Sequence, residues 1–252
     1  WYDRDFIRDW TNGPLLVRSD NGRLLTQRDL SSDGAAGQYV AWSEAMDRPI
    51  PYDPVTGRYE GDHPEPALFG TFTVDTTEGA VACRPAFELT ADLCRQYPPE
   101  RVEAICGIER SRVEAAARML WEARPVAYYA WSGVEMQTNA TQIARAIAQI
   151  CVLTGSFDAR GGNVLFPAVP RADAAGRELM PSGQGTKSLG FPERPLGPSR
   201  WQFVTTEEIY RGILEQQPYG VHGMVGFGAN LLLSHAGARR GREALAALDF
   251  YV

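Results

Sequence analysis

Residues 125–170 read PVAYYAWSGVEMQTNATQIARAIAQICVLTGSFDARGGNVLFPAVP. The apolar run 126–131 is short and rich in aromatic residues, which predicts a buried strand. Ser132 and Gly133 break it. Thr138 or Asn139 can cap the helix that follows, on which Ile143, Ile147, Ile150 and Thr154 recur at helical spacing. Gly155 is placed to stop that helix. Gly161, Gly162 and Asn163 then allow a tight turn and a close approach of the backbone to something else. A strand feeding a loop and a helix N-terminus makes an anion site, because unpaired backbone N–H groups point outward there.

Downstream, the polar stretch 171–200 is heavy in Gly, Pro and Ser, and far longer than an ordinary connection. A helix is expected over 207–216. A buried strand is expected over 221–227 (VHGMVGF), with His222 as a hydrogen-bonded core histidine. Gly228, Ala229 and Asn230 follow, then a helix over 239–248 and a new strand at Phe250. This is a second βαβ unit built like the first. Alternating strand and helix predicts α/β architecture with right-handed crossovers and a parallel sheet. Ligands of such sheets bind at the carboxyl ends of strands, here 132–135 and 228–230.

Upstream, 3–10 (DRDFIRDW) predicts a short helix with Phe6, Ile7 and Trp10 facing inward. Asp20, Asn21 and Gly22 between apolar runs signal a hairpin. Short strands are expected at 39–42 and 68–74. Helices are expected from Pro85 onward, with Phe87, Leu89, Leu93 and Cys94 on one stripe, then over 101–106 and 109–122. His63, between prolines in a polar loop, is expected to be exposed.

The 252 residues are 44% hydrophobic and carry a net charge of −6, so a sizeable core is available and nucleic acid is an unsuitable partner. No apolar stretch approaches the roughly 20 residues of a membrane helix. Cys83, Cys94, Cys106 and Cys151 form no CxxC pair, so no iron–sulfur or zinc set is expected within the chain. Cys94, Cys106 and Cys151 fall in helical patterns and read as small buried residues. Neither GxGxxG nor GxxxxGK[ST] occurs, which argues against an unrelated nucleotide-binding α/β protein. The chain opens at Trp1 without methionine and closes within an apolar run, and reads as a segment of a longer polypeptide.

Three motifs in order carry a family resemblance: PPERVEAICGIERSRVEAAARML, then WSGVEMQTNATQ with LTGSFDARGGN, then GFGANLLLSHAGARRGREALAALDFYV. Together with the opening YDRDFIRDWTNGPLLVR, the set resembles the molybdopterin oxidoreductases of the dimethyl sulfoxide reductase superfamily. The resemblance covers the chain apart from 31–75 and the long loop.

The resemblance implies parts of two Rossmann-like, doubly wound α/β domains with a loop-rich insertion. Residues 1–135 would end one pterin-dinucleotide-binding domain, and 136–252 would belong to the other. It implies a bis-molybdopterin guanine dinucleotide with molybdenum or tungsten in the full-length parent. The metal-ligating residue and an iron–sulfur cluster would lie upstream, leaving the catalytic residues outside the segment. Implied partners are the pterin dinucleotide, the remaining domains of the polypeptide and an electron-transfer subunit. The implied cofactor-binding positions are Ser132, Gly133, Val134, Glu135, Met136, Gln137, Asn139, Gly161, Gly162, Asn163, Gly228, Asn230, Ser234 and His235. Relatives often carry glutamine in the pattern GV-x-Q. Here Met136 stands there, with Gln137 one residue later, and methionine cannot donate a hydrogen bond. The alternative implied by the same scaffold is a cofactor-less structural subunit of an electron-transfer complex.

Overall fold

The computed structural model describes residues 1–170, 176–201 and 203–252. Part of the long polar stretch, 171–175, lies outside the described residues. The chain divides into two compact units, Trp1–Pro167 and Ala168–Val252.

The first unit opens with α1 (Arg4–Trp10), whose N-cap Asp3 accepts from the Phe6 N–H at 3.0 Å. Strand β1 (Leu16–Arg18) follows, and the Asp20-Asn21-Gly22 turn returns the chain, with Gly22 at φ +70°. The turn is as expected. Its far arm meets β1 at the single bridge Val17–Leu24, because Thr26 already caps α2 (Gln27–Leu30). Strands β2 (Val40–Ser43), β3 (Arg48–Asp53) and β4 (Arg58–Tyr59) form one antiparallel sheet. Tyr52 N–H donates to Tyr39 O, so by alternation Pro49 and Pro51 turn their donor-less nitrogens away from β2. Strands β5 (Phe72–Thr76) and β6 (Gly79–Pro85) pair with β1 in the order β1-β6-β5, also antiparallel.

Helices α3 (Ala86–Arg95), α4 (Pro99–Cys106) and α5 (Arg110–Glu122) follow. Pro99 starts α4 and Gly107, at φ +68°, ends it. The four-residue α6 (Ser132–Glu135) and the long α7 (Ala140–Leu153) complete the unit. Its core has two parts. Leu16, Leu25, Val40, Val74 and Cys83 fill the space between the sheets. Ile7, Leu68 and Phe87, with Val152 and Leu153, join α1, α3 and α7.

The second unit carries 3-10 turns at Gly185–Lys187 and Pro198–Trp201, then α8 (Thr206–Leu214), β7 (Gly223–Met224), α9 (Leu231–Ser234), α10 (Ala238–Ala246) and β8 (Phe250–Tyr251). Tyr210, Ile213 and Ala244 form its core. Strands β7 and β8 are parallel, the only parallel strand pairing among the described residues.

The architecture is therefore mixed α/β with small antiparallel sheets, and a doubly wound parallel sheet is not formed among the described residues. Several local expectations are corrected. Residues 126–131 are extended but join no strand ladder. Trp10 is 78% exposed rather than inward, leaving Ile7 as the buried residue of α1. The strand expected at 68–74 begins at Phe72, because Gly70 at φ +120° turns the chain and sends Leu68 into the helical core. Cys94 and Cys106 are exposed, since neither α3 nor α4 buries the face that carries its cysteine. The strand at 221–227 shortens to two residues, and His222 is exposed with its Nδ1 3.6 Å from Asp249 Oδ2. Cys151 is buried and His63 exposed, as expected.

Candidate functional site

In the first unit, the run 126–131 is held in place by side chains. Val126 N–H donates to Ser156 Oγ at 3.0 Å. Two residues on, Tyr128 N–H donates to Asn163 Oδ1 at 2.9 Å, and Asn163 Nδ2 donates back to Tyr128 O at 3.0 Å. Bonds from alternate residues are what a neighbouring strand would supply. The rack is firm because its own parts are tied. Ser156 is fully buried and its hydroxyl lies 2.8 Å from Thr154 Oγ1, which donates to Ile150 O. Cys151 Sγ donates to Asn163 Oδ1 at 3.3 Å, and burial pushes its thiol pKa up.

The chain leaves this rack at Trp131 and winds into α6. Val134 N–H bonds Trp131 O at 3.0 Å, and Met136 N–H bonds Ser132 O at 3.1 Å. Of this segment only Val134 is partly covered; Ser132, Gly133, Glu135, Gln137 and Asn139 are exposed, and Met136 is 80% exposed. A Cβ built on Gly133 meets nothing within 4 Å. Asn139 is the N-cap of α7 but its side chain makes no cap bond. The segment thus presents two hydroxyls, of Ser132 and Thr138, two amides and one carboxylate to open space, with no cation of its own.

Gly161 and Gly162 are used differently. The close approach expected of them is to the chain itself. A Cβ on Gly162 would lie 1.8 Å from Ser156 O, and one on Gly161 would lie 3.1 Å from Pro125 Cγ. Asn163 spends its amide on Tyr128. These three residues build the rack. Beside it lies a groove of about 600 Å³, lined by Phe87, Tyr128, Arg145, Cys151 and Asn163 among others. Tyr128 and Ser156 were not singled out by the sequence, since their partners are about 30 residues away and no local motif marks them.

In the second unit, Gly228 adopts φ +66° with nothing within 4 Å of a built Cβ. Asn230 caps α9, its Oδ1 accepting from Leu233 N–H at 3.2 Å. Ser234 ends α9 and His235 follows, both exposed. Gly237 is the N-cap of α10. Among the described residues no three His, Cys, Asp or Glu side chains converge as a metal site.

No family model matches the chain. It is 28% identical over 273 aligned residues to dopamine dehydroxylase of Eggerthella lenta, covering all of this chain and 26% of that protein. It is 30% identical over 166 residues to dimethylsulfide dehydrogenase subunit alpha of Rhodovulum sulfidophilum, covering 64% of this chain and 18% of that subunit. It is 28% identical over 172 residues to the molybdopterin-containing subunit ArrA of arsenate respiratory reductase from Shewanella sp., covering 62% of this chain and 20% of that subunit. The similarity is to molybdopterin oxidoreductases of the dimethyl sulfoxide reductase family, and it supports reading the chain as a fragment of such a protein.

The chain spans between about a fifth and a quarter of the length of these molybdopterin oxidoreductases. What the chain does contain is one open loop in each unit, 132–139 and 228–235, each at the mouth of a short helix. The first rises from a rigid rack, and the second from the parallel pair β7–β8.

Proposed function

We propose that this chain is the cofactor-binding middle segment of a molybdenum- or tungsten-dependent pterin oxidoreductase, and that it has no turnover by itself. The observation that carries the reading is the open, donor-bearing loop at 132–139 held on a rigid support. Ser132, Gly133, Val134, Glu135, Met136, Gln137 and Asn139 are assigned to one face of a pterin guanine dinucleotide. Gly228, Asn230, Ser234 and His235 are assigned, within their own unit, to contacts with a pterin dinucleotide. The donor set suits such a group. The amide of Gln137 and the free amide of Asn139 can bond a heterocycle edge, and the unpaired N–H groups at the start of α6 can bond pyrophosphate. Glu135 can accept from a ring N–H. Gly133 and Gly228 leave space that a side chain would fill.

Gly161, Gly162 and Asn163 are assigned to the same site through the rack they build, which fixes where Trp131 hands the chain to α6. When bound, the metal–pterin group supplies the redox chemistry, and the parent would move electrons or an oxygen atom to or from a small substrate. The residues of this chain bind and orient that group. Residues 1–135 and 136–252 are assigned to two Rossmann-like domains, with the run 126–131 and the pair β7–β8 as edges of parallel sheets completed by further strands of the parent. The remaining domains, an iron–sulfur cluster and an electron-transfer subunit are the partners this reading expects.

The test is metal and cofactor content of the full-length protein, produced with molybdate or tungstate and with pterin synthesis intact. Stoichiometric molybdenum or tungsten with a pterin guanine dinucleotide is expected. Its absence under those conditions would overturn the reading in favour of a structural subunit.

A further inference from the structure

In the second unit, Thr205-Thr206-Glu207-Glu208 spells a capping box at the start of α8, with Thr205 at the N-cap and Glu208 three residues on. In such a box the hydroxyl accepts from the third N–H, and the carboxylate accepts from the N-cap N–H. The same device is made at α2, where Thr26 N–H donates to Asp29 Oδ2 at 2.7 Å. At α8 it is not made. Thr205 forms no side-chain cap bond. Thr205 Oγ1 and Glu208 Oε2 are both buried without a hydrogen-bond partner among the described residues.

Glu208 is used elsewhere. Its Oε1 accepts from Arg194 Nη1 at 2.9 Å, and Arg211 Nη1 stands 3.7 Å from Oε2. The Glu208 side chain is 5% exposed, whereas that of Arg194 is 57% exposed. The loop backbone rests on the same carboxylate. Gly190 has φ +78°, and a Cβ there would lie 3.0 Å from Glu208 Cγ. Two further bonds hold the loop down, from Tyr219 Oη to Lys187 O at 3.0 Å and from Arg211 Nη1 to Glu193 Oε1 at 3.1 Å.

We propose that residues 185–201 are a latch that closes on α8 by drawing Glu208 out of its capping box. The closed loop and the capped helix are then alternatives. Closure leaves two buried polar atoms unpaired, which costs free energy, and it is held against that cost by Arg194. Opening swings the carboxylate back to the Thr205 N–H, satisfies both orphaned atoms and frees the loop. The competition separates this device from an ordinary structural ion pair, whose loss loosens both sides.

The test is hydrogen exchange of the full-length protein, read by mass spectrometry over 185–201 and over 205–208. Arg194→Ala is expected to speed exchange across the loop about tenfold while the amides of Thr205 and Glu208 slow severalfold. Gly190→Ala, which displaces Glu208 without removing a charge, is expected to move both readings in the same two directions. Glu208→Ala is expected to open the loop without slowing the Thr205 and Glu208 amides. If Arg194→Ala and Gly190→Ala speed the helix start together with the loop, or leave the loop unchanged, the latch is overturned.

Discussion

Asn163 pairs with Tyr128 as a neighbouring strand would, accepting from its N–H at 2.9 Å and donating to its carbonyl at 3.0 Å. One side chain thereby replaces a rung of a sheet ladder for an extended run that has no ladder of its own. Replacing Asn163 by alanine removes both bonds and the contact with Cys151. The expected cost is about 2–3 kcal/mol, from two part-buried backbone groups that lose their partners. Denaturant titration measures the cost, and amide exchange at Val126 and Tyr128 locates it. Unchanged exchange at Tyr128 would show that the run is held by something else.

Gly162 and Gly133 are expected to behave in opposite ways. A methyl group at 162 meets the Ser156 carbonyl at 1.8 Å, so Gly162→Ala must shift backbone and should cost about 2–4 kcal/mol. A methyl group at 133 meets nothing within 4 Å, so Gly133→Ala should change stability by less than about 0.5 kcal/mol. If 132–139 faces the pterin dinucleotide, Gly133→Ala should still lower cofactor retention in the full-length protein. Retention equal to wild type at unchanged stability would remove Gly133 from the site.

The helices were legible because their signals are local. Pro99 and Gly107 bracket α4, and Asn139 and Gly155 bracket α7, each through the backbone geometry of one residue. Strand β3 was hidden by Pro49 and Pro51, which look like breakers until their nitrogens are seen to face away from β2. The run 126–131 was read correctly as extended and wrongly as a paired, buried strand; Tyr129 is 88% exposed. Apolar composition reports what a segment gains by burial, and says nothing of whether a partner is at hand. The site was half legible for a related reason. The glycines at 161 and 162 announced a close approach, but only the structure gives its object, a carbonyl of the same loop.

The four cysteines should separate into two pairs by reactivity. Cys94 and Cys106 are exposed, whereas Cys83 and Cys151 are buried. Burial pushes the Cys83 thiol up to about 11 and moves Cys151 in the same direction. Less thiolate and less access both slow alkylation. At pH 8, iodoacetamide should label two sites of the native 252-residue chain roughly 100-fold faster than the other two. All four should become equivalent in denaturant. Fast labelling of Cys151 in the native chain would mean that the Asn163 rack opens readily.

Arg18 sets the acid limit of the first unit. Its side chain is buried, and it donates to Asp20 at 2.7 and 3.0 Å, to Asp29 at 2.6 Å and to Glu78 at 3.2 Å. Hydrogen bonding from Arg18 holds the Asp20 carboxyl below its usual range. At Asp29, partial burial pulls upward, but the bonds from Thr26 and Arg18 outweigh it and the net shift is also down. A carboxylate depressed in the folded state adds stability that is complete above its unfolded pKa of about 3.9. That stability is lost as pH falls through the lower folded value. Arg18→Met keeps the apolar stem and removes the charge. It should cost about 1–2 kcal/mol at pH 7, the low end for a buried pair because Asp20 and Glu78 are well exposed. The gap between wild type and variant should then narrow as urea titrations are taken down from pH 7 toward pH 2.5, the direction in which the carboxylates take up protons. A gap that is the same at pH 7 and near pH 2.5 would show that Arg18 acts through packing and not through its charge.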